Sequence, residues 1–235
     1  MEILCVDLHH AGYSDNKKTI KNIHFQLQQG ELVGLIGPNG AGKSTIIKTI
    51  LGLLEEVDGE INIAGNNRYA YIPEHPVYYE EFTLWEHIEL AKAVNNIEDA
   101  NFYQRAEQLI SLFRLEHVKH HFPGSFSKGM QQKLMIIVAI LIKPTLYIVD
   151  EPFIGLDPKA IKDFLSIIDE ERQRGAAILM STHVLDTAEK ICDRFLLVNQ
   201  GELIAAGTLD EVRAVSVPEA SLMDCFYYFM ENEKR

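Results

Sequence analysis

The chain has 235 residues, enough for one large domain or two small ones, and its 47% hydrophobic and 24% charged residues supply the material of an ordinary globular core. Its 22 Lys and Arg against 34 Asp and Glu give a formal net charge of −12. With no long basic block, that balance excludes nucleic-acid binding driven by backbone phosphates.

From the start to about Gln28 the pattern is strand-like, with Ile3 to Val6 and Ile23 to Leu27 separated by a turn-rich stretch from Ala11 to Lys18. Leu32 to Ile36 is a short continuous apolar run, the signature of a strand buried on both faces. A glycine-rich loop follows at once, then a helix over Ser44 to Leu54 and two short strands, Gly59 to Ala64 and Arg68 to Ile72. Between about Phe82 and Ile142 the period turns helical, with Leu109, Leu112 and Phe113 on one face and a helix opening near Ser127 that continues through Leu134 to Ile142.

After Pro144 strands alternate with helices again. Leu146 to Val149 is followed by a helix with Ile161, Phe164, Leu165 and Ile168 on one side, then by Ala177 to Met180. Phe195 to Val198 turns at Asn199-Gln200-Gly201 into Leu203 to Ala206, and a last helix carries Leu222, Phe226, Phe229 and Met230. This alternation implies an α/β fold with a mostly parallel sheet covered on both faces. No export signal is expected, since acid stands among the first residues, and Leu134 to Ile142 is far shorter than the ~20 residues that cross a bilayer. Cys5, Cys192 and Cys225, an odd count without a C-x-x-C pair, suit a reducing compartment and read as buried small hydrophobes.

Gly37-Pro38-Asn39-Gly40-Ala41-Gly42-Lys43-Ser44 fits G-x-x-x-x-G-K-[ST], directly after a buried strand and opening a helix. Glycines let the backbone N–H groups turn inward on phosphate oxygens, and the helix adds its positive end. Lys43 neutralises phosphate charge and the Ser44 hydroxyl can ligate Mg²⁺. A tight strand-to-helix turn with no ligand is the plain alternative. Leu146-Tyr147-Ile148-Val149-Asp150-Glu151 places two carboxylates at the carboxyl end of a buried strand, where ligands of open α/β sheets bind. A nucleoside triphosphatase needs a metal-holding acid and a base for the attacking water, roles that suit Asp150 and Glu151. Alone, the pair could equally be the start of an exposed loop.

Three further segments narrow the type: Phe126-Ser127-Lys128-Gly129-Met130-Gln131-Gln132-Lys133, Gly155-Leu156-Asp157-Pro158 and Ser181-Thr182-His183. Together with Tyr13 before the loop, in this order, they resemble the ATP-binding subunit of an ABC transporter along nearly the whole chain. Tyr71-Ile72-Pro73-Glu74, Phe126 to Met130 and Asp150 to Pro158 are most similar to the Ecs-type exporter subunits of Gram-positive bacteria. The resemblance implies a P-loop ATPase core with an N-terminal antiparallel β part and a helical subdomain. It divides one domain, 1–235, into about 1–76 and 144–212 for the core, about 77–143 for the helical part and about 213–235 for a C-terminal helical tail.

The same resemblance implies site roles. Tyr13 stacks on adenine, Gly37 to Ser44 and Thr45 hold the phosphates, and Ser44, Glu74 and Asp150 hold Mg²⁺. Glu151 is the general base and His183 contacts the γ-phosphate. Ser127 and Gly129 bind the γ-phosphate of the nucleotide on a second subunit, and Asp157 lines that interface, although an acid before Pro158 also suits a plain helix start. Only Ser127 and Gly129 survive from the family's LSGGQ, with Phe126, Lys128 and Met130 at the other positions, and Glu74 stands where most of the family has Gln.

The implied function is ATP hydrolysis in a homodimer or pseudo-dimer that closes around two MgATP. It drives a separate transmembrane permease subunit, in the export direction, from the cytoplasmic face of the cell membrane. Residues 73–82, with Tyr78, Tyr79 and Phe82, are the candidate docking loop, or else a solvated acidic loop. A soluble ABC-type ATPase in a non-transport assembly complex is the competing class. His117, His120 and His121 have helical spacing but no completing carboxylate or thiol, so they read as polar surface.

Overall fold

The computed structural model describes residues 1–13, 17–65 and 69–232, with the backbone only for 17 and 18. Parts of the expected Ala11 to Lys18 turn, Arg68 at the head of an expected strand, and the end of the 213–235 tail lie outside the described residues. Strands β1 (Glu2–Tyr13), β2 (Lys17–Gln28) and β4 (Glu56–Ile63) form an antiparallel sheet in the order β2-β1-β4. β1 and β2 are each 12 residues, longer than the apolar runs alone suggest. Their polar residues belong to the same ladder, because one face of an antiparallel sheet can remain wet.

A second, mixed sheet has the order β5-β6-β7-β3-β8-β9 among the described residues. It contains β3 (Leu32–Ile36), β5 (Tyr69–Ile72), β6 (Leu146–Asp150), β7 (Ala177–Thr182), β8 (Arg194–Asn199) and β9 (Glu202–Gly207). All its pairings are parallel except β8 with β9. Period-two alternation divides the apolar strand residues between its faces. Tyr147, Val149, Ile178 and Met180 pack toward the helical insert, while Val33, Leu35, Ile148 and Leu179 pack toward α1 (Lys43–Ile50) and the antiparallel sheet.

α1 stops short of the Leu54 expected for it, at a Schellman turn in which Leu53 N–H donates to Lys48 O at 2.9 Å and Gly52 N–H to Thr49 O at 3.0 Å. Gly52 takes φ +70°, the left-handed conformation that closes such a turn. The insert is made of α2 (Leu84–Val94), α3 (Phe102–Leu112) and α4 (Lys128–Ile142). A capping box opens α2, with Thr83 N–H donating to Glu86 at 2.7 Å and Glu86 N–H to the Thr83 hydroxyl at 3.3 Å. α2, α3 and α4 share one apolar core with β5, β6 and α5 (Pro158–Gln173). On α5 the buried stripe is Ala160, Phe164, Ile167 and Ile168, with Ile161 and Leu165 half-buried at its flank.

Two short helices, α6 (Leu185–Ile191) and α7 (Leu209–Ala214), were not visible as periodic segments, being one or two turns long. With α8 (Leu222–Asn232) they cover β8 and β9 in a third apolar cluster. Of the expected buried thiols only Cys225 is fully so; Cys5 and Cys192 are half-buried. His117, His120 and His121 are exposed around a 3₁₀ turn (Glu116–Val118), not aligned on an α-helix.

Candidate functional site

The glycine-rich loop lies at the carboxyl edge of the mixed sheet between β3 and α1. A Cβ on Gly37 would stand 2.4 Å from the Val198 carbonyl, so only glycine fits against β8 there. The turn after β8 also braces the loop, since Gly201 N–H donates to Ala41 O at 2.8 Å. α1 starts without a side-chain cap, from Gly42 at φ 112°, so its first N–H groups open toward the cleft.

Lys43 is only 6% exposed. Its Nζ donates to Gly37 O at 2.7 Å and Pro38 O at 3.3 Å, and lies 3.7 Å from Glu151 Oε1. A cleft of about 400 Å³ opens over this loop, lined by Asn39, Gly40, Gly42, Lys43, Ser44, Thr45, Glu74, Asp150, Glu151 and His183, and also by Thr19 and Ile154. Thr19, in β2, lies outside every motif, and Ile154 stands within the Asp150 to Pro158 segment but had no site role; the fold brings both over the site.

Asp150 ends β6 and Glu151 follows it, both as buried acids. Ser181, on the neighbouring strand β7, donates its hydroxyl to Asp150 Oδ1. The Glu151 N–H donates to the Ser181 carbonyl at 3.1 Å and to its hydroxyl at 3.2 Å. Burial pushes the Asp150 carboxyl up; the Ser181 hydrogen bond and Lys43 oppose that, and the charges of Glu74 and Glu151 reinforce it. Burial together with Asp150 and Glu74 likewise pushes the Tyr71 hydroxyl up to about 12.

Glu151 sits at φ +47°, a left-handed conformation unusual for a non-glycine residue. Its Oε1 is buried, 2.9 Å from His183 Nδ1, yet accepts no hydrogen bond of good geometry. An acceptor of that kind facing a polar cleft is chemically suited to take a proton from water. Ser44, Glu74 and Asp150 present one hydroxyl and two carboxylates to the same cleft, an all-oxygen set that fits Mg²⁺.

The remaining expected site residues lie elsewhere. Ser127, Gly129 and Asp157 do not line the cleft. Ser127 caps α4, its hydroxyl accepting from Met130 N–H at 3.3 Å. A Cβ on Gly129 would be 2.4 Å from the Gly155 carbonyl, so the start of α4 and the turn before α5 pack backbone to backbone. Asp157 caps α5, accepting from Ala160 N–H at 2.9 Å, and pairs with Lys133 at 3.1 Å. These two partners, Ala160 first, hold its carboxyl below the usual range. Asp157 therefore does serve as a plain helix start, whatever else it touches.

Tyr13 is 42% exposed and outside the cleft lining, with Lys48 of α1 5.7 Å from its ring centroid. The loop over 73–82 is fastened to the insert. Gln132 Nε2 donates to Pro73 O at 3.1 Å, Gln131 Nε2 to the Tyr78 hydroxyl at 3.0 Å, and Tyr79 N–H to His87 Nε2 at 3.0 Å. Gln131, Gln132 and Ser181 all stand within the segments read from the sequence. Their types alone did not disclose these contacts.

Residues 20–154 match the family model described as ABC transporter. The chain is 52% identical to the uncharacterised ABC transporter ATP-binding protein YthP of Bacillus subtilis (strain 168), over 99% of this chain and 98% of that protein. It is 42% identical to the ABC-type transporter ATP-binding protein EcsA of the same organism, over 99% and 98%. A solved structure described as the ATP binding subunit of an ABC transporter superposes with a TM-score of 0.92 at 44% identity, covering 97% of this chain and 99% of that one.

Proposed function

This chain belongs to the ABC transporter ATP-binding family, and on that premise we propose that two such subunits, a homodimer or pseudo-dimer, close head to tail around two MgATP and drive a separate transmembrane permease. The observation that carries this reading is a division of labour within one chain. Lys43, Ser44, Asp150, Glu151 and His183 share a cleft, while Ser127, Gly129 and Asp157 form a second cluster outside it. A second subunit supplies the missing half of each site.

In this reading the loop from Gly37 to Ser44, continued by Thr45, receives the triphosphate on its N–H groups and on the amino end of α1. Lys43 exchanges the carbonyls of Gly37 and Pro38 for phosphate oxygens. Ser44, Glu74 and Asp150 hold Mg²⁺, which when bound neutralises phosphate charge. Glu151 Oε1 takes the proton of the attacking water, and His183, 2.9 Å away, orients that carboxylate and reaches toward the γ-phosphate. Tyr13 offers its exposed ring to adenine. Ser127 and Gly129 bind the γ-phosphate on the facing subunit, beside Asp157. Its loss on hydrolysis removes what the closed state binds better than the open one, and the pair separates.

The docking side is the fastened loop and the groove beside it. Val77, Tyr79, Leu90, Val94, Met135 and Val138 line a groove of about 270 Å³ with mostly apolar walls. Val77 and Val94 are 75% and 69% exposed, an arrangement that favours a covering partner. Gln131 and Gln132 connect this loop to the helix that begins at Ser127, so partner and nucleotide act on one element. No helix among the described residues is long and apolar enough to cross a membrane. The reading therefore has the subunit peripheral, on the cytoplasmic face, bound to a permease. Export follows from the sequence resemblance to the Ecs-type subunits. Affinity purification from detergent-solubilised cells tests the pairing: a polytopic membrane protein is expected to co-purify in stoichiometric amount, and a purely soluble complex would refute it.

A further inference from the structure

One residue before its end, strand β7 carries a side chain that its surroundings do not ask for. Ala177, Ile178, Leu179 and Met180 are completely buried apolar residues, and Ser181, equally buried at 0% exposure, follows them in a central strand. A hydroxyl taken from water into such a place costs free energy unless it is bonded, and a β-branched apolar residue would suit the strand better. Ser181 is bonded, and on the described contacts its hydroxyl serves two adjacent residues, the last of the neighbouring strand β6 and the one after it. It donates to Asp150 Oδ1 and accepts from the backbone N–H of Glu151 at 3.2 Å.

Each bond fixes a different degree of freedom. The first sets the rotation of the Asp150 carboxylate, its strand partner in the parallel register. The second, with the Ser181 carbonyl 3.1 Å from the same N–H, clamps the peptide that enters Glu151. Glu151 needs such a clamp. A left-handed non-glycine residue costs about 1 to 3 kcal/mol and persists only where its neighbours over-determine it. That conformation turns the Glu151 carboxylate back toward Lys43 and His183.

We propose that Ser181 is a positioning residue for ATP hydrolysis, its single hydroxyl orienting both the metal-holding Asp150 and the general base Glu151. The proposal rests on the roles given to those two acids above.

Its test uses the intact subunit. Mn²⁺ binding in the presence of ADP is read from the loss of the free-ion electron paramagnetic resonance signal, beside kcat and KM for ATP at saturating Mg²⁺. Outer-shell partners of metal ligands are typically worth 10 to 100-fold in metal affinity. Ser181→Ala is expected to weaken Mn²⁺ binding about 10-fold and to lower kcat about 10-fold, with KM within a factor of about 3. Ser181→Thr, which keeps the hydroxyl, is expected to recover most of both. Where the alanine variant does not fold, Ser181→Cys, similar in shape but a weak donor, is read in its place with the same expectation. Parental Mn²⁺ affinity and kcat in the alanine or cysteine variant, with only a lower melting temperature, would overturn the proposal. Asp150→Asn is the control on its premise. If that variant binds Mn²⁺ as the parent does, the metal-holding role itself falls and the proposal with it; if it loses Mn²⁺ while Ser181→Ala does not, only the proposal falls.

Discussion

Replacing Glu151 by Gln keeps side-chain volume and removes one charge and one base. The carboxylate is 7% exposed, its Oε1 lies 3.7 Å from Lys43 Nζ and 2.9 Å from His183 Nδ1, and it accepts no well-formed hydrogen bond. A positioned general base contributes about 10² to 10⁴ in rate, so the substitution is expected to raise the barrier by about 3 to 5 kcal/mol. Binding should move the other way. At 3.7 Å and an effective dielectric of about 20, the attraction between Glu151 and Lys43 is roughly 4 kcal/mol before desolvation. Much of it is already offset, because Lys43 also donates to the carbonyls of Gly37 and Pro38. Freed of its counter-charge, Lys43 should bind MgATP as tightly as in the parent or up to about tenfold more tightly. Phosphate release at saturating MgATP measures the first effect and equilibrium titration with a fluorescent ATP analogue the second. An ATP-dependent dimer should also accumulate on a sizing column. Turnover within a factor of about 3 of the parent, at unchanged affinity, would refute the assignment of Glu151 as base.

Lys43→Ala should abolish detectable ATP binding in the same titration, since the cleft then retains Glu74, Asp150 and Glu151 without their buried cation. Glu74→Gln is expected to keep Mg²⁺-dependent ATPase activity, measured as phosphate release, because a neutral oxygen still ligates the metal; complete loss would show that the acid itself is required. Asp150→Asn should inactivate the enzyme yet stabilise the nucleotide-free fold by about 1 kcal/mol in urea titrations. The sign follows from burial, which raises the carboxyl in the folded state above its unfolded value of about 3.9, so folded Asp150 holds its proton longer. Parent stability is therefore lost as pH rises through the raised pKa, and the margin of the variant over the parent should be wider at pH 8 than at pH 4.

The sequence by itself determined the chemistry that depends on residue type in local order. Gly37 to Ser44 after a five-residue apolar run specifies strand, glycine-rich loop and helix, since neighbouring backbone groups form all three. Asp150 and Glu151 were legible for the same reason, at the end of a strand buried on both faces. Tertiary structure decided what those groups touch. Ser181 is 30 residues from Glu151 along the chain and beside it across the sheet, and Gln132 is 59 residues from the Pro73 carbonyl that it holds. No period or motif encodes such distances, because they arise from strand order and helix packing. The fold also put Ser127, Gly129 and Asp157 outside the cleft that holds Lys43 and Glu151, a separation that linear order does not disclose. Local sequence writes each group of residues, and only the packed sheets and helices decide which of them share a cleft.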